Sequence, residues 1–265
     1  MKRFFYSALM LTISATAMAD NWTGGEGSYN DDTNWSSGDV PGSADEAVIN
    51  NGGTVSIDSF VDASKLRIGT TNGTSGTLVQ TDGGLTAAGA FIGENGTGTV
   101  TITGGDFAIG GDSIHIGWLP NGVGEMNING DDAFVTSGDD FQLGREGTGT
   151  LNLSAGQLQA GYTVIGKFGT GIWNQTGGLF DQAFGDIEIG DGGKPDQAGI
   201  AGPRVGTMNI SGGIVQTSSH LAIGNRSGSG SVNISGGILA ATGKGDSTIF
   251  IGRGADTGPD DGGET

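Results

Sequence analysis

Residues 230–252 read G-S-V-N-I-S-G-G-I-L-A-A-T-G-K-G-D-S-T-I-F-I-G, and most of the chain after residue 60 is a variation on them. Two landmarks recur. One is an apolar residue followed by an anchor glycine: Ile68-Gly69, Ile92-Gly93, Ile116-Gly117, Leu143-Gly144, Ile165-Gly166, Ile189-Gly190, Ile223-Gly224 and Ile251-Gly252. Successive anchor glycines are 24, 24, 27, 22, 24, 34 and 28 residues apart. The other is a short phrase: G-T-V-T-I-T-G-G (98–105), G-T-L-N-L-S-A-G (149–156), G-I-W-N-Q-T-G-G (171–178), G-T-M-N-I-S-G-G (206–213) and G-S-V-N-I-S-G-G (230–237). Looser copies begin at Gly76 and Gly124. Repetition at this period marks a solenoid, whose units bury their apolar faces only against their neighbours.

Within each unit the apolar period is two, which is strand periodicity. Before each anchor glycine, apolar residues flank a mixed column of Arg67, Phe91, His115, Gln142, Val164, Glu188, Ala222 and Phe250, expected to face out. In the phrase, Val100, Met126, Leu151, Trp173, Met208 and Val232 are expected to face in, with Thr, Asn and Ser between them facing out. Glycine supplies 56 of 265 residues. Such material is poor in helix interiors and suits positive-φ corners between short strands. About 24 residues per coil accommodate three strands and three corners. The expected fold is all-β: a right-handed parallel β-helix of about eight coils, roughly 40 Å long at ~4.8 Å per rung. A sandwich or meander needs antiparallel neighbours and does not account for matching columns at this period.

Residues 1–19 read as a secretory signal: Lys2 and Arg3, an apolar stretch from Phe4 to Ile13, and Ala17-Met18-Ala19 as cleavage site. That stretch is too short to span a membrane. Residues 20–60, with Trp22, Tyr29 and Trp35, are expected to be an N-terminal cap and first strands that shield the open end of the stack. Residues 61–254 carry the repeats, and 255–265 are expected to be a disordered or truncated tail. The net charge of −18 becomes −20 once Lys2 and Arg3 are removed. Such acidity argues against nucleic acid and against an anionic membrane surface as partners. The chain has no cysteine, so neither disulfides nor thiolate chemistry enter.

The W-x-G…N-W…P opening followed by G-x-x-N-I-S-G-G…I-G repeats resembles the β-helix repeats of bacterial autotransporter-passenger-like and PEP-CTERM-associated surface proteins. The resemblance covers roughly residues 20–254. It implies an extracellular or cell-surface scaffold.

The residues just after the anchor glycines are Thr70, Glu94, Trp118, Arg145, Lys167, Asp191, Asn225 and Arg253. With coils in register, Trp118, Arg145, Lys167 and Asp191 fall on consecutive rungs. An aromatic face beside two cations and a carboxylate suits an acidic polysaccharide, and these four are the candidate ligand-binding residues; a solvated, mixed-charge corner is the plainer alternative. No catalytic residues are assigned. His115 is expected to be a solvated surface residue. It lies three rungs, about 14 Å, from Glu188, beyond the ~9.5 Å limit for a carboxylate pair acting on a sugar.

No cofactor and no built metal site are expected. The pairs Asp31-Asp32, Asp131-Asp132, Asp139-Asp140 and Asp260-Asp261 suggest weak surface calcium at most, because calcium needs six to eight oxygens. The long step from Gly190 to Gly224 holds an inserted corner loop. The outward Thr/Asn/Ser strip is expected to hydrogen-bond along the ladder. Expected partners are an extracellular polysaccharide or other surface proteins, with end-to-end self-association through the last coil. The function expected from these features is an exported, non-enzymatic surface or matrix scaffold. The alternative is a polysaccharide lyase or hydrolase, or a fragment of one, working at the Trp118–Asp191 corner.

Overall fold

The computed structural model describes residues 18–193, 200–243 and 248–252. Most of the signal segment, Arg253 and the 255–265 tail lie outside the described residues. The described chain is a parallel β-helix. Each strand pairs in parallel with its equivalent one coil away, as in the exact alignment of Gly98, Gly124, Gly149, Gly171, Gly206 and Gly230. The phrase strands stack into a nine-stranded sheet running from Glu26–Ser28 to Ser229–Ile234. The other two columns belong to one larger sheet. They are continuous in two early coils, where Phe60–Ile68 and Gly84–Ile92 run unbroken around the corner. Beyond them the columns separate, first as Gly105–Ile109 and Ile114–Ile116.

Sequence period two places the core. Val100, Met126, Leu151, Trp173 and Met208 are fully buried in one column, and Ile68, Ile92, Ile116, Leu143, Ile165 and Ile189 in another. Trp173 brings a polar N–H into this interior. Two residues on, and so also facing inward, Gln175 accepts from its Nε1 at 3.2 Å. Gln175 donates in turn to the Ile214 carbonyl at 2.9 Å. The polar pair is satisfied inside an apolar stack, as a buried indole requires.

Outside the phrase sheet, Asn amides form an unbroken ladder. Asn152 donates to Asn127 at 2.8 Å, Asn174 to Asn152 at 3.0 Å, Asn209 to Asn174 at 2.9 Å and Asn233 to Asn209 at 2.9 Å. At the N-terminal end, Trp35 meets Trp22 and Tyr29 edge-on, with ring centroids 5.1 and 4.9 Å apart, and all three rings are buried. At the other end the inward column loses its cover: Ile210 is 1% exposed and Ile234, one coil on, 53%.

One expectation is overturned. The mixed column before the anchor glycines was expected to face solvent, with His115 as a solvated residue. His115, Gln142, Val164, Glu188 and Ala222 of this column are instead buried, and Arg67, Phe91 and Phe250 are half-buried. Their side chains do leave the core side, but residues after the anchor glycines come back against two of them: Trp118 lies over His115, and Asp191 sits beside Glu188.

Candidate functional site

Each anchor glycine holds a positive φ, +72° at Gly117, +64° at Gly144 and +74° at Gly166. That left-handed corner reverses the chain, and the next residue stays in the ladder. The amides of Arg145, Lys167 and Asp191 donate to the carbonyls of Gly117, Gly144 and Gly166, each at 3.1 Å. The amide of Trp118 likewise reaches Gly93 at 3.3 Å. Trp118, Arg145, Lys167 and Asp191 therefore do occupy consecutive rungs. Their chemistry nevertheless divides into two sites.

The first is an aromatic and cationic ledge. Trp118 lies over His115, with ring centroids 3.7 Å apart, and meets Phe91 edge-on at 5.6 Å. The Arg145 guanidinium stacks 4.0 Å above the Trp118 ring. Lys65 Nζ is 5.7 Å from the Phe91 centroid, and Lys167 Nζ is 5.8 Å from that of Phe168. His115, at 4% exposure, is enclosed by this group. Burial, then the charges of Arg145, Lys167 and Lys65, push its imidazole down to about 3, so it is neutral. Among the described residues, Lys65, Arg145 and Lys167 have no carboxylate within ion-pair distance. Nearby Arg67 shows the contrast, pairing with Glu46 at 3.0 Å and Glu94 at 2.7 Å.

The second site takes Asp191 away from the ledge. Asp191 is 1% exposed and sits beside Glu188, at 5%. Arg226 Nη1 lies 3.4 Å from Asp191 Oδ1 and 3.5 Å from Glu188 Oε1. The Tyr162 hydroxyl donates to Glu188 Oε2, Asn225 Nδ2 donates to Glu188 Oε1 at 2.9 Å, and the Gly193 amide donates to Asp191 Oδ1 at 3.0 Å. Burial, and next the Asp191 carboxylate, push the Glu188 carboxyl up to about 7. Burial, then Glu188, likewise push the Tyr162 hydroxyl up. The backbone beside the cluster is unusual: Arg226 and Ser227 hold φ of +47° and +70°, left-handed values that non-glycine residues rarely adopt.

Glu188, Tyr162, Asn225 and Arg226 were missed from the sequence as a site. A local signal was present. In H-I-G-W (115–118) and E-I-G-D (188–191), the first and fourth residues meet across the anchor turn. Reading the mixed column as solvated hid that contact. Of the Asp pairs, Asp31 caps a short 3-10 helix through the Thr33 amide at 3.1 Å, and Asp140 accepts from Gln142 at 2.8 Å. Asp260-Asp261 lies outside the described residues. No group of three or more His, Cys, Asp or Glu is arranged to hold a metal among the described residues. In the inserted loop, residues 194–199 lie outside the described residues, and Arg204 closes it by donating to the Ile200 carbonyl at 2.8 Å.

No described helix is long and apolar enough to cross a membrane. Comparisons with protein-family models, with curated proteins and with solved structures find no match.

Proposed function

We propose that this protein is an exported, non-enzymatic β-helix scaffold of the cell surface or extracellular matrix, of the autotransporter-passenger-like kind, which holds acidic polysaccharide on the Trp118–Arg145–Lys167 ledge. One observation carries the reading. In a chain of net charge −18, Lys65, Arg145 and Lys167 all lie close enough to His115 to act on its charge, and among the described residues none of the three has a carboxylate within ion-pair distance. Cations left unpaired in so acidic a protein leave their charge available to an external anion. The stacked Arg145 is also pre-oriented by Trp118, which reduces what it loses on binding. The signal-like N-terminus and the sequence resemblance support export.

The test is a titration of purified protein with pectate and with alginate. Binding is expected to weaken steeply with salt and to fall about tenfold or more in the Arg145→Ala/Lys167→Ala double variant. Binding unchanged in that variant would remove the ledge from the function. The same mixtures, followed for the ultraviolet absorbance of unsaturated sugars, test the lyase alternative. Calcium-dependent product that disappears in Lys167→Ala would replace the scaffold reading with an enzymatic one.

A further inference from the structure

The Glu188–Asp191 cluster, one rung beyond the ledge, is short of positive charge. Two nearly buried carboxylates face a single guanidinium, and its 3.4 and 3.5 Å contacts are longer than a charge-assisted hydrogen bond at roughly 2.7–2.9 Å. Arg226 is itself partly exposed, with 22% of its side chain accessible. The donors are also unevenly spread. Tyr162, Asn225 Nδ2, the Gly193 amide and Arg226 all serve Glu188 and Asp191 Oδ1.

Two buried acceptor oxygens receive nothing: Asp191 Oδ2 and Asn225 Oδ1. Both residues are essentially fully buried. They are direct register partners on adjacent rungs, so their side chains leave the same side of the sheet. The Asn225 amide is fixed in the cluster by its bond to Glu188, which places its bare oxygen there as well. A buried acceptor without a donor calls for an explanation. Two of them in one cluster, where two carboxylates share a single guanidinium at 3.4 and 3.5 Å, are acceptors that a bound cation would satisfy.

We infer that Asp191, Asn225 and Glu188 form a binding site for one divalent cation of the hard, oxygen-seeking class, with Asp191 Oδ2 and Asn225 Oδ1 as its first ligands. All three supply oxygen and none supplies sulfur or imidazole, which favours calcium or magnesium over zinc or copper. Two carboxylates and one amide leave the remaining coordination positions to water. Arg226 yields its loose contacts to the cation and turns toward solvent. The cluster contains two acids and an amide, so it is not a triad of the usual acidic and imidazole ligands. The site is separate from the glycan ledge and does not depend on it.

The experiment is a calorimetric titration of the full chain, stripped with chelator, with calcium and then magnesium, alongside thermal unfolding in each. The expected result is one cation per chain and a melting temperature that rises with millimolar calcium. Asp191→Asn keeps the shape and removes the charge. It is expected to reduce affinity about tenfold or more, while melting no lower than the parent without calcium because it relieves a buried excess of negative charge. Glu188→Gln repeats the test if Asp191→Asn does not fold. Asp131→Asn/Asp132→Asn should bind as the parent does. No binding of either cation at millimolar concentration, or binding that survives Asp191→Asn and Glu188→Gln, overturns the inference.

Discussion

Gly144→Ala is expected to destabilise the protein by roughly 2–5 kcal/mol, whereas Gly73→Ala should cost only about 1–2 kcal/mol. Both glycines hold positive φ, +64° and +84°. A Cβ on either therefore meets the same intrinsic left-handed penalty, about 1–2 kcal/mol. Their surroundings differ. A Cβ at Gly73 would meet nothing within 4 Å. At Gly144 it would stand 2.0 Å from the Thr170 carbonyl oxygen and 2.3 Å from its carbon. Those atoms are backbone of the adjoining phrase strand, paired along Thr148–Leu153, so no rotamer change relieves the overlap. One coil must move off another, adding an overpacking cost of ~1–3 kcal/mol. Urea unfolding of the two variants measures the difference. Equal, small losses would mean that the anchor glycines serve φ alone and that the coils are not in close contact there.

The sequence displayed the coil stack because its signals are local and repeated. Ile68, Ile92, Ile116 and Leu143 recur with the same glycine after them, and the structure pairs these columns residue for residue. Repetition converts a weak strand signal into a strong one, since any other fold would have to break every copy. The ledge was legible for the same reason: Trp118, Arg145 and Lys167 share a position in the repeat. Burial outside the sheet was not legible. Period two says only which side of a strand a residue leaves from, and it does not say whether that side is then covered. His115 leaves on the outer side and is still enclosed, because Trp118 folds back three residues later. Asp191 was misplaced by the same limit. Its repeat position matches Arg145 and Lys167, but its neighbours Glu188 and Arg226 draw it into a different cluster.

The pH dependence of His115 follows from its enclosure. A free histidine takes up a proton near pH 6.5, and in the folded chain this one resists until about 3. The unfolded chain thus binds the proton in a range where the folded chain does not. Stability from this group is complete above about pH 6.5 and declines as pH falls toward 3. The slope is ~1.4 kcal/mol per pH unit, so roughly 3 kcal/mol is lost by pH 4.5. The cause is specific. Phe91 and Trp118 exclude water from the ring, Nδ1 has no partner, and Lys65, Arg145 and Lys167 all oppose a positive charge. His115→Gln, which places in the column the residue that Gln142 already provides one rung on, should remove the slope. Glu188, pushed the other way, tilts the curve oppositely in both proteins and cancels from their difference. The quantity to measure is therefore the stability of parent minus variant between pH 7 and 4.5. A difference that does not change with pH would mean that His115 titrates as a solvated residue, against its burial.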